Sequence, residues 1–125
     1  MILLFTLLFL KHFVFDFLYQ PPYQWMNKGT YGHLGGILHA LQHAVGTAVV
    51  LVFAAPQTML DYPHLLLQVP LAEAALHYHI DWAKMNLNKK MGWGANTHSQ
   101  FWMLLGLDQL LHSLTYVGIV GVICG

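Results

Sequence analysis

Charge is what this chain has least of. Asp, Glu, Lys and Arg together make up 8% of its 125 residues, where a soluble domain carries roughly a quarter. Set beside a 57% hydrophobic content, that scarcity points to lipid rather than water as the surrounding solvent. The five acidic and five basic residues cancel, which leaves no electrostatic footprint for a nucleic acid partner. A single cysteine, Cys124, excludes an internal disulfide and any multi-cysteine metal site. The first apolar run lacks a basic segment ahead of it and a small-residue cleavage site behind it. Lys11, His12 and Asp16 also interrupt it. It is therefore expected to persist as a mature helix rather than to be removed as a signal.

What is present is apolar and helix-length. Four stretches, 1–19, 31–55, 63–87 and 98–123, are each long enough to cross a bilayer at roughly 20 residues per span. The breaks between them carry the expected punctuation. Gln20-Pro21-Pro22 ends the first, because proline disfavours helix in the residue before it and brings no donor. Pro56 ends the second, and Asp61 and Pro63 offer a cap and a first-turn residue for the third. Thr97 followed by Gln100 fits a capping box for the fourth. Pro70 is expected to kink the third helix. Gly32, Gly35, Gly36, Ala40, Ala44 and Gly46 give the second stretch a small-residue surface, of the kind that lets membrane helices approach closely. These features predict one all-α domain over 1–125, an integral membrane four-helix bundle running up, down, up and down with short loops.

Nine histidines against five basic residues is an unusual balance, and their placement is regular. His12 and Asp16 stand four apart, as do His39 and His43, His77 and Asp81, and Asp108 and His112. Residues at i and i+4 share a helix face. In an up-down bundle the end of span one, the start of span two, the end of span three and the start of span four lie at the same side. All four pairs fall there, roughly 6–22 Å from the loops at 1.5 Å per residue. Trp25, Trp82, Trp93 and Trp102 mark that side as an interface, and Lys28, Lys84, Lys89 and Lys90 mark it as the cytoplasmic one. An inner-membrane protein with both termini outside the cytoplasm follows.

Five histidines and three aspartates without thiolate suit Zn, Fe or Mn, bound as one or two ions between facing helices. Glu73 is a candidate further ligand or general base, on the His77 face, and Lys84 a candidate to orient Asp81 or hold an anionic group. Lys11 either reaches the interface or joins the centre. His79 lies on another face from His77 and Asp81. His33, His64 and His98 are expected outside the cluster. Such a centre, close to the headgroup layer, suits hydrolysis of a lipid-like or phosphorylated substrate. Two alternatives use the same residues: a proton or metal-ion transporter or channel subunit, and a non-enzymatic membrane interaction protein. The far half of the spans offers only Thr47, Thr115 and Tyr116 as polar groups, which weakens conduction by one chain and leaves a homo-oligomeric pore open.

The run His12-x-x-x-Asp16-Phe17-x-x-Gln20, Lys28-Gly29, His39-x-x-x-His43, His77-x-x-x-Asp81-x-x-Lys84 and Phe101 through Asp108-Gln109-x-x-His112 resembles the bacterial and phage membrane family numbered 3307 among the domains of unknown function. The resemblance covers nearly the whole chain. It implies a small integral membrane domain and supplies no reaction.

Overall fold

The computed structural model describes all residues, 1–125. The chain folds as helices only: α1 (Ile2–Phe13), a π-helical turn (Val14–Leu18), α2 (Pro22–Trp25), α3 (Leu34–Ala54), α4 (Pro56–Asp61), α5 (Leu65–Met91) and α6 (Ser99–Cys124). The four long segments match the four stretches expected from the sequence. Each packs on its neighbours in a closed ring, α1 on α3, α3 on α5, α5 on α6 and α6 back on α1. The short helices α2 and α4 occupy the first two connections.

Length and composition separate the four. α3 and α6 are the two helices long and apolar enough to cross a membrane, with mean hydropathy of 1.8 and 1.4 over the window concerned. α5 has the length, about 40 Å at 1.5 Å per residue, but polar residues dilute it. α1 is apolar but has only 12 residues before the π-helical turn. In that turn the Tyr19 amide reaches back five residues to the Val14 carbonyl, at 2.7 Å.

The helix ends explain themselves locally, though not always as the sequence suggested. His33 caps α3, its Nδ1 accepting from the Gly35 amide at 3.0 Å. Gly92 ends α5 in the left-handed region, φ 66°, where glycine carries no Cβ penalty. The two caps expected from spacing do not form. Asp61 ends α4 and accepts from Gln57, while His64 precedes α5 without a side-chain cap bond. Thr97 turns to His98 Nδ1 and the Gly94 carbonyl instead of capping α6. α5 runs without a break through Pro70.

The small-residue surface of α3 has a definite use. Ala40 and Ala44 pack against Ala74 of α5. A Cβ at Gly36 would press on the Lys28 backbone, and one at Gly46 would come within 2.7 Å of the Lys11 side chain. Two basic side chains thus enter the bundle across glycines.

The distribution of polarity is inverted relative to a water-soluble bundle. The interior holds Lys11, His12, His39, His43, Glu73, His77, Asp81, Asp108 and His112, all buried. The outer faces carry exposed Phe9, Phe13, Val45, Val49, Leu71, Leu107, Leu114 and Val117 among many others. A purely apolar core exists at one end only, where Leu4, Leu8, Leu51, Val69, Ile119 and Ile123 meet.

Candidate metal centre

All eight residues of the four i,i+4 pairs meet at the opposite end from that apolar core. α1 and its π-helical turn bring His12 and Asp16, α3 brings His39 and His43, α5 brings His77 and Asp81, and α6 brings Asp108 and His112. Each pair stays on one face, as a 3.6-residue period requires. Asp16 lies in the π-helical turn, and its carboxylate still reaches His12 Nε2 at 3.2 Å.

Two loci share the cluster. In the first, Asp16 Oδ1 is 3.0 Å from His43 Nε2, 3.1 Å from His39 Nε2 and 3.7 Å from His77 Nε2. His39 Nε2 and His77 Nε2 are 3.1 Å apart. Four donors held tetrahedrally at 2.0–2.1 Å from an ion are separated by about 3.4 Å, which these spacings bracket. In the second, His112 Nε2 is 3.3 Å from Asp81 Oδ1 and 3.5 Å from Asp108 Oδ1. Asp81 joins the two, because its Oδ2 lies 3.4 Å from both His39 Nε2 and His77 Nε2. His12, His77 and His112 also bring one ring nitrogen each to within 4.8 Å of the others.

These groups cannot satisfy one another unaided. A ring nitrogen offers one hydrogen or one lone pair. His39 Nε2 nevertheless faces Asp16, Asp81, His77 and, at 3.0 Å, the Gln20 amide nitrogen. Asp108 Oδ1 is buried without a hydrogen bond, and Asp81 Oδ2 has the Lys28 ammonium at 3.1 Å but no imidazole nitrogen closer than 3.4 Å. Unmade bonds of this kind are expensive, and a cation among the converging donors would answer several at once. The clusters can hold a metal ion on donor chemistry and spacing alike.

Two basic residues hold the rim. Lys28 Nζ is 3.1 Å from Asp81 Oδ2, and Lys84 Nζ is 3.9 Å from Asp108 Oδ2. Burial opposes the charged form of Lys28, but Asp81 and Asp16 outweigh it and hold the ammonium above its usual pKa. Beside them a polar cleft of about 200 Å³ opens over Asp16, Gln20, Lys28, Lys84, Asp108 and Gln109. Gln109 bridges the rim, its Oε1 3.0 Å from His12 Nε2 and its Nε2 donating to Asp108 Oδ2.

A second tier lies one turn deeper. Lys11 Nζ donates to Glu73, to Thr47 Oγ1 at 2.9 Å and to the His43 carbonyl at 3.3 Å. The Tyr116 hydroxyl stands 3.0 Å from His12 Nδ1. Lys84 lies at the cleft facing Asp108, and it is Lys28 rather than Lys84 that contacts Asp81. Glu73 is engaged by Lys11 below the cluster and is in none of the three groups of converging donors. Lys11 joins the centre. His79 is exposed and bonds Tyr31 and the Ala75 carbonyl. His33, His64 and His98 sit at helix starts, outside the cluster.

Thr47, Tyr116 and Gln24 were not foreseen as parts of the centre. Gln24, buried in α2, bonds Gln42 and lies 3.3 Å from His39 Nδ1. A signal for the other two existed: Thr47 follows His43 by four residues, and Tyr116 follows His112 by four. With Glu73 four before His77, the same-face rule continues one turn inward on three helices.

No curated protein and no solved structure matches the chain. The family model described as a protein of unknown function, DUF3307, matches residues 4–124. With nearly its whole length covered, the chain belongs to the DUF3307 family.

Proposed function

We propose that the chain is a metal-dependent membrane hydrolase acting on a lipid-like or phosphorylated substrate. The observation that carries this reading is the convergence of eight histidine and aspartate side chains from four helices beneath a polar cleft, with more donors and acceptors facing one another than they can satisfy among themselves. The inverted polarity supports four membrane spans, with α1 and its π-helical turn and the polar α5 enclosed by lipid together with α3 and α6. The lysines and tryptophans at the cleft end support a cytoplasmic placement of the site, with both termini on the far side. Imidazole and carboxylate favour Zn, Fe or Mn, as one or two ions with Asp81 between them.

A divalent ion there would supply water of lowered pKa and polarise a phosphoryl or carbonyl oxygen. The chain's own groups do the rest. The cleft admits water and the reacting head of a substrate. Lys28 and Lys84 offer positive charge to its oxygens. The Tyr116 hydroxyl holds the His12 ring through Nδ1, leaving Nε2 toward the cluster. The attacking water forms the new bond to phosphorus or carbon, and the leaving oxygen departs with a proton.

Transport by a single chain is the weaker reading. The interior beyond Lys11 and Glu73 is filled by Leu4, Leu8, Leu51, Val69 and Ile119, which offers an ion no polar route. The deciding measurement is elemental analysis of the detergent-purified chain beside a His39→Ala/Asp108→Ala double variant. Stoichiometric transition metal in the parent and its loss in the variant is the expected result. A metal-free parent grown with ample metal would sink the proposal, and proton or metal flux in liposomes would replace it with transport.

A further inference from the structure

The polar cleft does not end at the ligands. Lys84 and Asp108 line it, and the same two residues line an apolar groove of about 330 Å³ between α5 and α6, with Leu76, Leu104, Leu107 and Leu111 along its walls. Leu76 in turn lines a further groove of about 230 Å³ on the same pair of helices, walled by Val69, Gly118, Ile119 and Val122. Cleft and grooves adjoin one another along the α5–α6 seam, polar at Lys84 and mainly apolar beyond it, with Glu73 and Thr115 also on the wall of the far groove. Between Leu104 and Val122 the seam covers about 27 Å at 1.5 Å per residue. Gly118 has open space where a Cβ would stand, so the missing side chain leaves the far part of the seam open. The other lateral groove, between α3 and α5 at Ile37, Leu41 and Ala75, touches none of the eight clustered residues.

We infer that the centre takes a single-piece amphiphile, with an anionic phosphate-bearing head in the cleft at Lys28 and Lys84 and a long hydrocarbon chain in the α5–α6 seam. The inference rests on the reading of the cluster as an enzyme centre in a membrane, and it names the substrate class. At the head end two lysine ammoniums border a cavity whose other charged walls, Asp16 and Asp108, are carboxylates that a bound cation would neutralise, and bulk lipid chains have no reason to enter it. At the tail end the apolar seam shares Lys84 and Asp108 with the cleft, and the α3–α5 groove shares no residue with it. A ligand held this way would enter sideways from the bilayer, and its reacting bond would lie beside Asp108.

The test is equilibrium binding of radiolabelled hexadecyl phosphate to the full chain in maltoside micelles, with octyl phosphate, hexadecanol and inorganic phosphate compared. Hexadecyl phosphate is expected to bind about tenfold more tightly than hexadecanol, the size of one charge-assisted contact. Lys28→Met/Lys84→Met should erase that preference. Leu107→Trp, which blocks the seam near the cleft, should weaken both alkyl phosphates by about tenfold. Gly118→Leu should weaken hexadecyl phosphate and spare octyl phosphate, while Ile37→Trp in the α3–α5 groove should change neither. Equal affinity for hexadecyl phosphate and hexadecanol would overturn the inference, as would equal losses from Leu107→Trp and Ile37→Trp. Elemental analysis of the same samples separates the two proposals. Seam-dependent binding by metal-free protein upholds the amphiphile while the hydrolase reading falls. Metal-loaded protein that does not prefer the alkyl phosphate overturns the amphiphile and leaves the metal centre standing.

Discussion

At one end of the bundle Leu4, Leu8, Leu51, Val69, Ile119 and Ile123 close on one another; at the other, the same four helices enclose five histidines and three aspartates, with only a small apolar cluster of Ala40, Ala44 and Ala74 between α3 and α5. On the proposed four-span reading the apolar end gains little from hiding hydrocarbon, since lipid is equally apolar, so its cohesion would rest on fit and dispersion. The polar end is held by directional contacts and loses far more when one partner goes, because a buried ionisable group left unpaired is costly. The apolar end should therefore bear on assembly alone, and the polar end both on assembly and on what the helices do once assembled.

Substitutions at the two ends should separate these roles. The largest effect is expected from His77→Ala, which removes a donor common to two of the three groups that could hold an ion. Bound metal should drop to background, and the detergent-solubilised protein should unfold at a lower temperature, since a buried charge network that loses a partner is destabilised by about 3–5 kcal/mol. Retention of full metal would show that the cluster is not the binding site. Next, Leu51→Ala at the apolar end should cost about 2–5 kcal/mol in chemical unfolding, with metal per folded chain unchanged. Metal lost in proportion to stability would dissolve the distinction between the ends. Tyr116→Phe probes their boundary. Without the hydroxyl beside His12 Nδ1, metal affinity should fall by about 10–100-fold with little change in folding, as read by competition with a chelating dye. The smallest effect belongs to His79→Ala, on the outer face, which should stay within about 0.5 kcal/mol and keep its metal.

Much of the centre was legible because a helix converts spacing into direction. His39 and His43, or Asp108 and His112, needed only the 3.6-residue period to share a face, and the turns then set all four pairs at one depth. Glu73 shows where this stops. It shares the His77 face as expected, but a face does not specify depth, and packing gives it to Lys11 one turn below the cluster. For Lys11 the sequence left the interface and the centre both open, since its route across Gly46 depends on how closely α1 and α3 approach. Tyr116 and Thr47 carried a usable signal in their spacing, whereas Gln24 did not, being placed by a four-residue helix inside a connection. The caps at Asp61 and Thr97 failed for a related reason: a capping pattern competes with whatever else the side chain can reach, and Gln57 and His98 were nearer.

The π-helical turn at Val14–Leu18 adds a requirement on chain length itself. An α-helix turns about 100° per residue, so the surplus residue leaves His12 and Gln20 in two different angular frames, and Asp16 lies at the junction between them. Removing Phe15 would let the segment close as ordinary helix, with no side chain of the centre altered, and would turn Asp16 away from His39 and His43. Substituting Phe15 by leucine keeps the count. The deletion is expected to empty the centre while Phe15→Leu stays loaded, and equal metal in both would show the count to be free. Counting residues, as well as choosing them, is then part of how this chain builds its site.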